Sequence, residues 1–231
     1  MADGLFFTDF NELKDTGLLH RGDRESKNSR DRCLGINLHV LSDGYFYITD
    51  GGPALFSYSH EFVTEVANSS LRVPFLQYPI LPLYEDFVAN YNSYTEEVDE
   101  DTHNALLKED VIKIAYEDSD PNIPLSIIDE FEVPYAQFVK GPKILVWLFG
   151  GNVYLKWDPE SYHGDSSRWR AGHTVIELSR PDYEKSLEIF GQNIIDNLEP
   201  KITKLEAVCG DFSKLGKELR SIEKVKKYSK V

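Results

Sequence analysis

Leu187, Phe190, Ile194, Leu198, Ile202 and Leu205 recur at three- and four-residue intervals. On a period of 3.6 residues they fall along one stripe, so the chain must build a long helix with one side covered. Ser179, three residues before Asp182, reads as the N-terminal cap of that helix. Pro200 lies inside the pattern and is expected to kink or interrupt it, because proline removes a donor and crowds the preceding turn. Upstream, Lys143–Phe149 reads as a strand, Gly150-Gly151-Asn152 as a turn and Val153–Trp157 as the returning strand, with Val, Leu and Trp alternating against Tyr and Lys. Thr174–Leu178 is a further strand. A last helix from about Phe212 carries Leu215, Leu219, Ile222 and Val225 on one face and basic residues on the other.

The first half is less regular. Leu5–Leu19 reads as a strand followed by a short turn, and His20–Arg32 as an exposed polar loop whose Arg21-Gly22-Asp23 tripeptide carries no weight alone. Leu34–Leu41 and Tyr45–Thr49 read as strands around a Ser42-Asp43-Gly44 turn, because Asp-Gly supplies the positive φ of tight hairpins. Asp50–Pro53 is a second turn and Ala54–Tyr58 a third strand. Pro74, Pro79 and Pro82 keep Arg72–Pro82 out of a regular helix, so a helix is expected around Leu83–Tyr91, with Leu83, Phe87 and Tyr91 on one face. Ala105–Tyr116 is another helical stretch, and Glu117–Pro124 a loop. The class is therefore α+β. An antiparallel sheet built from N- and C-terminal hairpins is packed by the long C-terminal helix and shorter helices. Residues 1–231 form a single domain with an acidic middle segment (85–132) and a basic C-terminal helix (211–231).

The charge is uneven. The chain carries 39 Asp plus Glu against 25 Lys plus Arg, a formal −14. From Glu85 to Glu132 there are 15 acidic residues and 2 lysines; from Lys201 to Val231 there are 9 basic and 4 acidic residues. Such asymmetry concerns partners and solubility. It argues against nucleic acid as a ligand, since phosphate contacts need Lys and Arg. The acidic N-terminus does not read as a signal peptide, and the longest apolar run, Ile144–Phe149, is too short to cross a bilayer. A cytoplasmic protein without membrane contact is expected. Cys33 and Cys209 form neither a disulfide framework nor a zinc knuckle, and read as two reduced thiols.

Motifs for chemistry are missing. Calcium loops started at Asp99 or at Asp118 place Asn104 or Ile123 where the sixth position needs Gly. The six histidines form no HxH, HxxxH or HExxH pattern. There is no G-x-S-x-G elbow, dinucleotide fingerprint or Walker loop, and Gly51-Gly52 and Gly150-Gly151 are turn residues. No cofactor, metal or catalytic residue is assigned. Strand aromatics, Tyr45, Phe46, Tyr47, Phe56, Tyr58, Trp147, Tyr154 and Trp157, serve first as cross-strand pairs and core. An outward-facing subset would anchor a partner, with Trp169 the better anchor candidate.

The stretch Leu41-Ser42-Asp43-Gly44-Tyr45-Phe46-Tyr47-Ile48 resembles the "LTDGxYxI" hairpin of an uncharacterised bacterial family of unknown function. Val153–Trp157, the loop with Trp169, Val175–Leu178 and the helix after Ser179 are similar to that family's C-terminal half. The resemblance covers about half of the chain in two blocks, outside the acidic middle and the basic tail. It implies no catalytic residue. Members resemble toxin-associated immunity proteins, small cytosolic proteins that accompany bacterial toxins.

The leading expectation is a non-enzymatic binding protein, an immunity protein that neutralises a cognate bacterial toxin through an acidic surface. A toxin with a basic groove would attract such an inhibitor. The expected contact residues are Glu96, Glu97, Asp99, Glu100 and Asp101, with Glu117, Asp118 and Asp120 second and Trp169 as the aromatic anchor. The alternatives are a hydrolase-like enzyme with a site assembled from scattered Asp, Glu and His, such as His163 or Asp165, and a self-associating structural or adaptor module.

Overall fold

A computed structural model describes residues 6–10, 38–48, 56–57, 78–93, 96–117, 119–133, 143–158, 174–209 and 213–225. In chain order the elements are β1 (Phe6–Phe10), α1 (Leu38–Leu41), β2 (Asp43–Ile48), β3 (Phe56–Ser57), β4 (Tyr78–Pro79), α2 (Ile80–Ser93), α3 (Glu100–Leu107), α4 (Val111–Tyr116), α5 (Leu125–Phe131), β5 (Lys143–Phe149), β6 (Asn152–Asp158), β7 (Thr174–Ser179), α6 (Arg180–Cys209) and α7 (Ser213–Val225). The class is α+β, as the sequence implies. The strands form two antiparallel sheets rather than one: β2 pairs with β1, β3 and β4, while β5, β6 and β7 follow in order.

The C-terminal sheet follows its local grammar. Gly150 and Gly151 take φ of 59° and 79°, the left-handed values that a two-residue hairpin turn requires. The register pairs Val146 with Leu155 and Trp147 with Tyr154, then Leu155 with Ile176 and Tyr154 with Glu177. Ser179 caps α6, its Oγ accepting the Asp182 N–H at 3.3 Å. The helix then runs unbroken through Pro200, against expectation. Pro200 lies on the exposed side, where water can reach the Asp196 carbonyl that loses its helical donor. Leu198 and Ile202, buried on either side, hold the helix in place. Leu215 and Leu219 of α7 are buried in the same core cluster, so this helix packs on its own chain against α6.

The N-terminal half departs from its local grammar. Leu38–Leu41 is a helical turn, and Asp43–Ile48 pairs with Phe6–Phe10, with Phe6 opposite Ile48 and Phe10 opposite Gly44. The Asp-Gly pair therefore begins a strand instead of closing a hairpin. Ser42 has another task. Its carbonyl accepts the Ile80 N–H at 2.9 Å and its hydroxyl accepts the Leu81 N–H at 3.2 Å, so it satisfies orphan donors at the start of α2. That helix begins at Ile80, earlier than expected, with Pro82 in the first turn, where a missing N–H costs nothing. Phe6 is buried among aromatic rings, 4.9 Å from Phe87, 5.3 Å from Phe190 and 6.0 Å from Tyr183, and this ties β1 to α2 and α6.

The α2–α6 contact turns on Gly191. A Cβ there would lie 2.6 Å from Tyr84 Oη and 2.8 Å from Tyr84 Cζ. The Tyr84 hydroxyl is buried with no hydrogen-bond partner among the described residues. Burial, then the Glu188 and Glu85 carboxylates, push its pKa up to about 12. Gly191→Ala is expected to lower unfolding stability by about 2 kcal/mol despite the better helix propensity of Ala. Tyr84→Phe is expected to raise it by about 1 kcal/mol by removing an unsatisfied buried hydroxyl. Urea unfolding at pH 7 checks both; a stable Gly191→Ala would refute the close contact.

Asp86, half-buried on α2, has its pKa raised to about 6, first by burial and then by Glu85. The folded state therefore binds the proton more tightly than the unfolded chain. Stability from this group is greatest in acid and is lost as pH rises from about 4 to about 6. Asp86→Asn is expected to add about 1 kcal/mol at pH 7, after allowance for screening, and to flatten stability over that pH range in denaturant titrations.

Candidate functional site

Strand β5 is buried on both faces. Ile144, Val146 and Leu148, with Val153, Leu155 and Ile176, point into the core shared with α2 and α6. Leu145 and Trp147 point the other way, into a second core with Ala105, Leu106, Val111, Ile112, Ala115, Ile123, Ile128 and Phe131. Most of the acidic middle of the chain thus folds as a helical lobe, α3–α5, that covers the outer face of β5 and β6. The continuous helix expected over Ala105–Tyr116 is two helices, parted at Lys108–Asp110.

Both ends of the lobe are tied to β5. At its start, Val98 N–H donates to the Leu148 carbonyl at 2.9 Å. Beside it, the Glu97 carboxylate accepts the Gly150 and Gly151 N–H groups at 2.8 and 2.9 Å. At its end, Glu132 bridges Leu145, Val133 N–H donates to the Ile144 carbonyl at 2.9 Å, and Asn90 Nδ2 donates to the Glu132 carbonyl at 3.1 Å.

Two buried polar side chains fasten the middle. Trp147 is fully buried and its Nε1–H donates to His103 Nδ1 at 3.1 Å. The His103 ring lies flat on Phe149 (centroids 3.9 Å, 9°) and meets the Tyr154 ring at 4.8 Å; Trp147 stacks on Tyr154 at 5.5 Å. Burial holds His103 below the usual imidazole range, against the opposing pull of Glu177 and Glu100. Lys156, 1% exposed, donates from Nζ to the Leu106 carbonyl at 3.1 Å and to the Lys108 carbonyl, at the negative end of α3. Its alternation with Val153 and Leu155 puts it on the outer face of the sheet, and the lobe covers it there. Sequence reading missed both groups. The signal was the run Ile144–Phe149, which has no polar alternation and so demands cover on both faces.

The expected contact residues divide in two. Glu97 grips the hairpin turn. Asp99 caps α3, its Oδ1 accepting the Thr102 N–H at 2.7 Å, and that bond holds its pKa below the usual range. Asp120 accepts the Asn122 N–H at 2.9 Å and pairs with Lys108 at 3.2 Å, and these contacts, the backbone bond first, lower its pKa. These three acids build the lobe. Glu96, Glu100, Asp101 and Glu117, with Glu109 and Asp110, are exposed and their side chains make no hydrogen bond or ion pair among the described residues. Lys108 and Lys113 are the exposed lysines of this stretch. Of the four exposed large hydrophobics among the described residues, Leu107, Tyr116 and Leu125 belong to the lobe; Tyr116 is 53% exposed. Trp147 serves as core rather than as an outward anchor. Asp118, Trp169, His163 and Asp165 lie outside the described residues.

These features define an α+β protein that mounts an acidic helical lobe on the outer face of a three-stranded sheet. The chain belongs to DUF5984, a family of unknown function, whose model matches residues 29–223. That span runs through the acidic middle as well as the two blocks quoted above. No curated protein and no solved structure matches the chain. Among the described residues no helix is long and apolar enough to cross a membrane.

The division of the acids is testable. Glu97→Ala is expected to cost about 1 kcal/mol through two lost charge-assisted hydrogen bonds at an exposed turn. Asp99→Ala should lower the melting temperature by removing a helix cap. Glu96→Gln and Glu117→Gln should each stay within about 0.5 kcal/mol of the parent in thermal and urea unfolding. Equal effects at all four positions would erase the distinction.

Proposed function

We propose that this chain is a non-enzymatic protein-binding inhibitor, most concretely a cytoplasmic immunity protein that neutralises a cognate bacterial toxin through the α3–α5 lobe. One observation carries the reading. Exposed carboxylates whose side chains make no hydrogen bond or ion pair among the described residues are gathered on one lobe, and that lobe is fastened to the sheet at both ends and in the middle. Concentrated negative charge on a fixed mount produces a directed field. A partner with a basic groove would be steered to it and would associate fast. Tyr116, exposed beside Glu117, offers an aromatic contact within the same field.

The test is a pull-down from the native bacterium at low and high salt, followed by kinetics with the retained partner. The variant carries Glu96→Gln, Glu100→Gln, Asp101→Asn, Glu109→Gln, Asp110→Asn and Glu117→Gln, and keeps Glu97 and Asp99, which hold the lobe together. Association with a basic partner should slow by about tenfold or more at low salt, and its salt dependence should flatten. An unchanged association rate and salt slope would remove the electrostatic reading.

A further inference from the structure

We infer that His103 is an acid-operated latch: protonation of its ring frees the α3–α5 lobe from the aromatic face of β5 and β6. The inference concerns the protein alone and does not depend on a partner. The Trp147 indole N–H can only donate, and it points at His103 Nδ1 from 3.1 Å. The neutral ring therefore carries its proton on Nε2. An imidazolium carries a proton on both nitrogens, so at this contact donor would face donor and the bond would be lost. The charge would also sit in a layer where Trp147 is fully buried, and loss of hydration there disfavours it.

The charged and titratable groups around the ring set the direction of movement. On its own helix stands Glu100, with Asp99 at the cap. On β7 stands Glu177, which also accepts from Asn152 Nδ2 at 2.6 Å. On β6 stand Lys156, fixed to carbonyls at the end of α3, and Tyr154, whose phenol is held above its usual range by burial and by Glu177. On the incoming segment stands Glu97, bound to the hairpin turn. Glu100 and Glu177 are both exposed, so the carboxylates able to pair with an imidazolium lie at the rim, away from Trp147. A protonated His103 can no longer accept from Trp147 and is drawn toward these rim carboxylates, and α3 goes with it. The backbone ties of Val98 to Leu148 and of Val133 to Ile144 remain, so the middle of the lobe lifts while its ends stay attached.

Linkage fixes the sign. The closed state disfavours the charged ring and the open state does not. The open population should therefore grow as pH falls below about 6.5, by at most tenfold per pH unit for one proton. The test is amide hydrogen exchange on the full chain at pH 7.5 and pH 5.5, corrected for intrinsic rates, on peptides from 100–131 and from α6. The comparison is His103→Asn, whose Oδ1 can accept the Trp147 N–H and cannot protonate there. The lobe peptides of the parent should lose protection by about fivefold or more at pH 5.5 relative to α6, and those of His103→Asn should not. Equal protection at both pH values, or the same loss in His103→Asn, would overturn the latch. Should the variant fail to fold, the parent decides by NMR. A ring titration with a midpoint below 6.5 that coincides with loss of the Trp147 indole signal supports the latch. A midpoint at or above 6.5, or an indole signal indifferent to it, refutes it.

Discussion

The double burial of β5 is the constraint on which the rest of the structure depends. A strand with one wet face alternates; Lys143–Phe149 does not. Its inner residues meet the stripe of α6 and the apolar side of α2, and its outer residues must meet something else. The chain supplies that cover from its most acidic stretch. The helices of the lobe bury one side each, which leaves their carboxylates on the other. The surface charge and the second core are thus two sides of the same short helices, and neither could be moved without the other.

The legible part of the fold is the part decided locally. Gly150-Gly151, the Ser179 cap and the α6 stripe each act through neighbours within a few residues, so pattern and structure coincide there. The N-terminal half is decided at a distance. Ser42 serves α2, almost forty residues on, and β2 takes Phe6–Phe10 as its partner instead of the residues just before it. Asp43-Gly44 offers a tight turn, but the pairing with β1 and the capping of α2 outweigh that local preference. Pro200 shows the same rule at smaller scale, where flanking burial overrides a local break. Within the lobe, residue type alone could not divide the acids. Glu97 and Glu96 are identical in kind and adjacent; only the position of the Gly150 and Gly151 amides makes one structural. His103 is not legible in the sequence because no metal or catalytic spacing surrounds it and its role is to accept one hydrogen bond from a residue forty-four positions on.

The lobe also meets an electrostatic difficulty of its own making. Like charges on short helices repel across distances at or below the screening length, about 8 Å at physiological salt. Exposed ion pairs would relieve this only weakly, and the described residues of the lobe use Lys108 with Asp120. The chain instead opposes repulsion with contacts that salt does not screen. Apolar side chains fill the layer beneath. Lys156 enters from below and meets carbonyls at the end of α3.

That solution explains why the fasteners of the lobe are polar although the layer beneath it is apolar. A purely apolar cover would hold the charged helices more simply, but it would not fix their rotation, since apolar contact is non-directional. The Trp147 N–H on His103, the Lys156 ammonium on two carbonyls and the Glu97 carboxylate on two amides each specify an angle as well as a contact. Together they orient Glu100, Asp101 and their neighbours in one fixed direction relative to the sheet. A field that steers a partner requires such orientation, because charges on freely turning helices average their directions. The cost is that one of the three fasteners, the bond to His103, is lost when the imidazole takes up a proton, so the rigidity that gives the surface its direction is itself tied to pH.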